Sequence, residues 1–151
     1  MEITIAAIGK LKSSPELELF NHYIKLSGWK VNLREFEEKR NLSVAERRQS
    51  EESFLFSAVP EGAIKVIMDE RGKIIRSTAF AEKMSMWQEQ NGKIAFLIGG
   101  ADGFSDEARA RADFLLSLGQ MTWPHFLARV MLAEQIYRAK TIITGHPYHR
   151  E

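Results

Sequence analysis

An α/β fold with a mostly parallel sheet and helices on both faces is what this sequence predicts. Short apolar runs alternate with stretches of helical spacing along the whole chain. The run Ile94–Ile98 is apolar without interruption, which suits a strand covered on both faces and hence a parallel one. Glycines, and serines in capping positions, mark most of the boundaries between segments.

Ile3–Ile8, closed by Gly9, reads as a buried first strand. Ser14-Pro15 opens the first helix, with serine as cap and proline at the first helical position. Leu17, Phe20 and Ile24 follow at helical spacing, and Gly28 ends the helix. Val31–Phe36 alternates enough for a second strand. Glu35–Arg48 is dense in both charge signs and reads as a solvated loop and helix face, with a specific RNA contact as the alternative. Ser43-Val-Ala-Glu46 has capping-box spacing and opens a helix through about Ala58. Ala63–Met68 is the third strand, with Asp69-Glu-Arg-Gly72 as a turn after it. Ser77 is the expected cap of the next helix, which Gly92 closes; its Phe80, Met84 and Trp87 form a core stripe. Lys93–Ile98 is the clearest strand, followed by Gly99-Gly-Ala-Asp-Gly103 and a cap at Ser105. Leu115–Met121 is the fifth strand candidate. Pro124 opens the last helix, which carries Phe126, Val130, Ala133, Ile136 and Tyr137. The expectation is one domain over residues 1–151, without linker, repeat or low-complexity segment.

The net charge of +1 argues against a protein that grips nucleic acid through a strong global field, but leaves room for a local patch. With no cysteine, disulfides, thiolate metal sites and cysteine nucleophiles are excluded. The N-terminus has no signal-peptide pattern, and no apolar run approaches the ~20 residues of a membrane span. A soluble cytoplasmic protein with no membrane partner is expected.

In open α/β sheets, ligands bind outside the carboxyl ends of the strands. Three segments fall there: the turn after Met68, the cluster Gly99–Gly103, and the stretch Gly119–Pro124. The glycine cluster matches neither G-x-G-x-x-G nor G-x-x-x-x-G-K-[ST]; it is either a tight strand-to-helix turn or a place where a ligand approaches the backbone. His22, His125, His146 and His149 lack metal-ligand spacing, so no metal site is expected. No serine sits in a nucleophile elbow. The C-terminal third is richer: Gly145-His-Pro-Tyr-His-Arg150 gathers groups that can stack on a base, bind phosphate and move protons.

Phe96-Leu-Ile-Gly-Gly-Ala-Asp-Gly103, then Pro124-His125, Arg129, Glu134-Gln-Ile-Tyr-Arg-Ala139 and Pro147-Tyr-His-Arg150, occur in an order that resembles the ribosomal-RNA large-subunit methyltransferase H family. These are minimal members of the SPOUT class of methyltransferases, and the resemblance covers essentially the whole chain. It implies a C-terminal trefoil knot, which topology rules treat as a rare exception. It implies S-adenosyl-L-methionine as methyl donor, with S-adenosyl-L-homocysteine as product and no metal. It further implies a homodimer whose active sites draw on the partner subunit. The implied substrate is N3 of a pseudouridine in large-subunit rRNA of the assembled ribosome.

Carried onto this chain, the resemblance places the cofactor at Met68, at Gly99 and Gly100, and along Gly119, Gln120, Met121, Thr122, Trp123 and Pro124. The Trp123 indole either packs on adenine or faces the core. For proton handling the candidates are His149 first and His125 second. Tyr148 is placed to stack on the base or bond its edge. Arg129, Arg138 and Arg150 are candidates to grip phosphate or to stabilise charge on the pyrimidine carbonyls. Three other readings stand beside this one: a non-catalytic RNA-binding module of the same fold, a SPOUT methyltransferase acting on another RNA, and a nucleotide-binding enzyme of ordinary doubly wound type.

Overall fold

Strand and helix alternate throughout the computed structural model, which describes residues 1–151. The elements are β1 (Glu2–Ile8), α1 (Pro15–Ser27), β2 (Lys30–Phe36), α2 (Val44–Ser57), β3 (Ile64–Ile74), α3 (Ser77–Gln90), β4 (Lys93–Ile98), α4 (Asp106–Ala110), β5 (Phe114–Ser117) and α5 (His125–Thr144). The strands form one sheet in the order β2-β1-β4-β3-β5, and every neighbouring pair is parallel.

The pleat divides the core in two, because successive side chains on a strand point to opposite faces. Ile3, Ile5 and Ala7 of β1 share one face with Ile94, Phe96 and Ile98 of β4. They pack against Phe20 of α1, Phe80, Met84 and Trp87 of α3, and Leu132, Ala133 and Ile136 of α5. Ala6, Ile67 and Leu97 point the other way, onto Leu55 of α2 and onto Phe104 and Ala108. Thus α1, α3 and α5 cover one face, while α2 and α4 cover the other. Burial of both faces is why β4 is apolar at consecutive positions.

Local capping follows the sequence at three helices. The Ser14, Ser43 and Ser105 hydroxyl oxygens accept from the backbone N–H groups of Leu17, Glu46 and Ala108. At α3 the expectation fails: Arg76 occupies the cap position without a side-chain bond, and Ser77 is the first helical residue. The Ser77 hydroxyl donates instead to Gln135 Oε1 of α5 at 2.7 Å, a tertiary bond in place of a local cap.

Two further departures shape the ligand-binding end of the sheet. The turn expected at Asp69–Gly72 lies inside β3, which shifts register between Met68 and Lys73 and then continues to pair with β5. Such a bulge adds residues to one strand without ending the sheet. Gly72 permits it: a Cβ there would stand 2.7 Å from the carbonyl carbons of Leu115 and Leu116. The fifth strand is also shorter than expected and stops at Ser117. The Ser117 hydroxyl accepts from the Gly119 N–H and donates to the Gly119 carbonyl, and Gly119 takes φ +115°, so the chain turns away from the sheet. In α5, Phe126 is 41% exposed, unlike the buried Val130, Ala133 and Ile136.

Candidate active site

Because β4, β3 and β5 are adjacent and parallel, their carboxyl ends open side by side. A cleft of about 480 Å³ lies there, within the range of small-molecule sites. Its apolar floor comes from Met68, where the β3 bulge begins, and from Ile98 and Leu116 at the ends of β4 and β5. One wall is the turn Gly99–Gly103 and the other is the loop from Leu118 to Trp123. The β3 bulge and the segments that follow β4 and β5 therefore line a single cavity.

The glycine turn is tight against its surroundings. A Cβ on Gly99 would lie 3.0 Å from the Phe104 ring, and one on Gly100 would collide with Glu51 Oε2. Glycine is thus required at both positions by close packing behind the turn, while Ala101 and Asp102 also line the cleft. Glu52 of α2 accepts from the Ser105 N–H at 2.6 Å and from its hydroxyl at 3.0 Å, fixing the end of the turn. Glu51, beside it, is 7% exposed, and its Oε2 has no hydrogen-bond partner. Burial first, and then the neighbouring Asp102 charge, push its carboxyl above the usual range. On the opposite side Arg109 Nε donates to Asp69 Oδ2 at 2.8 Å, so α4 is tied to the bulge of β3. Neither Glu51 nor this pair carries a sequence signature.

Met68, Gly99, Gly100, Gly119, Met121, Thr122, Trp123 and His125 all line the cleft; Gln120 and Pro124 do not. Trp123, 39% exposed, faces the cleft and not the core. His125, the first residue of α5, is half-buried. Burial first, and then the Arg129 charge, push its imidazole below the ordinary histidine range, so it is neutral at pH 7.

The structure corrects the placement of Arg129. Its side chain is fully buried, with Nη1 donating to Gly9 O at 2.9 Å and to Glu35 Oε2 at 3.0 Å, and Nη2 donating to Ile8 O. Desolvation lowers its basicity, which the Glu35 charge opposes. A guanidinium committed in this way joins α5 to the ends of β1 and β2 and has no face left for phosphate.

Tyr148, His149 and Arg150 lie outside the cleft of their own chain. The tail folds back along α5. Tyr148 Oη donates to Glu134 Oε1 at 3.0 Å, its ring meets Tyr137 at 4.6 Å between centroids, and the Arg138 guanidinium sits 4.8 Å from its ring centre. Burial, helped by the Glu134 hydrogen bond and charge, pushes the Tyr148 hydroxyl up to about 12. Arg138 binds Glu134 through Nε at 3.0 Å and through Nη2, and its Nη1 stands 3.2 Å from His149 Nδ1. The i, i+4 spacing of Glu134 and Arg138 is the one trace of this network in the sequence. A second, mainly apolar cavity of about 570 Å³ reaches Glu134 and Arg138 and shares the wall Leu116–Gly119 with the first.

A cleft at the carboxyl edge of a parallel α/β sheet is a ligand-binding frame common to many enzymes, so the class is set by the relatives. Residues 1–149 match the family described as "Predicted SPOUT methyltransferase". Within that class the chain belongs to the ribosomal RNA large subunit methyltransferase H family. It is 48% identical over 151 residues to the protein of that name from Rhodospirillum centenum, covering 99% of each chain. It is also 48% identical over 151 residues to the one from Paramagnetospirillum magneticum, again covering 99% of each. Among solved structures, a probable methylase family protein from Haemophilus influenzae shares the fold at TM-score 0.60 and 13% identity, over 99% of this chain and 70% of that one. The trefoil knot comes with membership of this class; no residue pattern in the chain announces it.

Proposed function

We propose that this protein transfers a methyl group from S-adenosyl-L-methionine to N3 of a pseudouridine in large-subunit ribosomal RNA, acting in the cytoplasm on assembled ribosomes as a homodimer. The observation that carries the reading is the convergence of the β3 bulge, the glycine turn and the Leu118–Trp123 loop on one cleft, in a chain whose relatives are named as ribosomal RNA methyltransferases.

The donor supplies a sulfonium-bound methyl carbon that accepts the N3 electron pair while the C–S pair stays on sulfur. The cleft fits such a molecule in size, in its exposed backbone and in its apolar floor. Gly99, Gly100, Gly119, Met121 and Thr122 hold the nucleoside through backbone groups, and Met68 and Trp123 pack on it. Residues of the chain must orient the base, which contributes through proximity, and must receive the N3 proton. His125, neutral and on the cleft wall, is placed to take that proton. Tyr148, His149 and Arg150 do not reach their own cleft, so in the homodimer they complete the partner's site.

A chain with net charge +1 binds naked RNA weakly, and the shape of the ribosome supplies the remaining contacts. The test is transfer from labelled S-adenosyl-L-methionine to ribosomes from cells lacking the protein, with mass mapping of the product. Label on a single large-subunit pseudouridine is the expected result. No transfer by a protein that binds the donor would overturn the substrate and keep the class.

A further inference from the structure

His149 has one ring nitrogen engaged and one free. Its Nδ1 lies 3.2 Å from Arg138 Nη1. A guanidinium has only donors to offer and stays charged. Here the Glu134 hydrogen bond holds Arg138 protonated, above even its usual range. Nδ1 must therefore accept. A neutral imidazole that accepts at Nδ1 carries its proton at Nε2.

The guanidinium cannot easily turn away. Glu134 Oε1 receives Arg138 Nε, Arg138 Nη2 and the Tyr148 hydroxyl, while Glu134 Oε2 receives Gln135 Nε2 at 2.8 Å. The Tyr148 ring lies against the same guanidinium. The carboxylate is fully occupied, and it orients Arg138 toward the tail.

We infer that Arg138 is a positioning residue that fixes His149 as the Nε2–H tautomer, so that His149 meets the target nucleotide as a hydrogen-bond donor and not as the acceptor of its proton. The inference rests on the methyl-transfer reading above. Loss of the N3 proton leaves negative charge on the two carbonyl oxygens flanking N3, and a donor aimed at one of them gains strength as that charge develops. The N3 proton passes to a ring nitrogen of His125. Glu134 is the second positioning residue, since it orients Arg138.

Two measurements on the full-length protein test this. The first needs no substrate: nitrogen NMR of protein labelled in its histidine rings, with His149 assigned by comparison with His149→Gln. A pyridine-type Nδ1 and a pyrrole-type Nε2 are expected at neutral pH, with the preference lost in Arg138→Gln; a protonated Nδ1 in the unaltered protein overturns the inference. The second compares turnover on ribosomes. His149→Ala is expected to lose about 10²-fold in kcat, and His149→Gln, which keeps a donor near the Nε2 position but is no base, less than about 10-fold. Arg138→Gln should lower kcat while leaving affinity for S-adenosyl-L-methionine within about 3-fold, a split that general unfolding would not produce. Equal losses in His149→Gln and His149→Ala overturn the donor role. If the unaltered protein methylates no ribosome, the substrate reading fails, and the NMR result still decides the Arg138–His149 relationship.

Discussion

Arg129 and Glu35 meet across 94 positions of sequence, with Nη1 3.0 Å from Oε2 and the arginine wholly buried. The same carboxylate oxygen also accepts the Leu11 N–H at 2.6 Å. One ion pair therefore secures the start of α5, the end of β2 and the loop after β1. His125 and Trp123, on the cleft wall, lie within six residues of this anchor.

Removing the cation takes the arginine donors from the Ile8 and Gly9 carbonyls and leaves the Glu35 carboxylate without its countercharge. Arg129→Met is expected to cost about 3–5 kcal/mol, as for other broken buried pairs. Arg129→Lys should recover little, because an ammonium cannot reproduce the fork that spans Ile8, Gly9 and Glu35. Urea unfolding monitored by tryptophan fluorescence measures both; wild-type stability in Arg129→Met would sink the assignment.

Gly72 and Gly103 separate steric from conformational demand. Gly72→Ala drives a Cβ into the backbone of Leu115 and Leu116, and should cost about 3 kcal/mol or more by forcing β3 from β5. At Gly103 there is open space, and only φ +65° opposes a side chain, so Gly103→Ala should cost about 1–2 kcal/mol. A larger loss at Gly103 than at Gly72 would contradict the packing described for β3 and β5.

For Glu51 the direction of the pH dependence follows from its raised folded value. A carboxyl whose pKa is higher folded than unfolded adds stability that is complete below the unfolded value, near 4.3. That stability is lost as the pH rises through the folded value. Glu51→Gln keeps the shape without the charge. It should raise stability at pH 8, by about 1–3 kcal/mol if the unpartnered oxygen bears its full desolvation cost. The gain should shrink toward pH 5. Thermal melts at the two pH values measure the difference, and a larger gain at pH 5 would reverse the assigned sign.

Trp123 tests the cofactor pocket. Its side chain borders the cleft and leaves the core intact, so Trp123→Ala should change Tm little. Loss of stacking on an adenine is worth about 1–3 kcal/mol, or roughly 10- to 100-fold in affinity for S-adenosyl-L-methionine. Calorimetric titration reads this directly. Unchanged affinity would move the adenine elsewhere in the cleft.

Much of the architecture was legible because it rests on short-range rules. Serine caps at positions 14, 43 and 105, the unbroken apolar run of β4 and the Phe80–Met84–Trp87 stripe each sit within a few residues of what they determine. The alternation of elements was enough to point to a parallel sheet covered on both sides. Motif order also led to the family that the relatives establish.

Tertiary structure alone decided the rest. No local window shows that Asp69–Gly72 would remain in a strand, since that depends on β5 lying against it. Nothing near Ser77 reveals that Gln135 would take its hydroxyl. Arg129 reads in sequence as a free cation and becomes a buried tie only when Ile8, Gly9 and Glu35 are brought around it. Glu51 is a surface residue by type, and it is buried because Gly100 closes over it. The physical reason is common to all four: periodicity and capping act over a single turn or strand, whereas burial and partner choice are set by segments that meet only after the sheet has assembled.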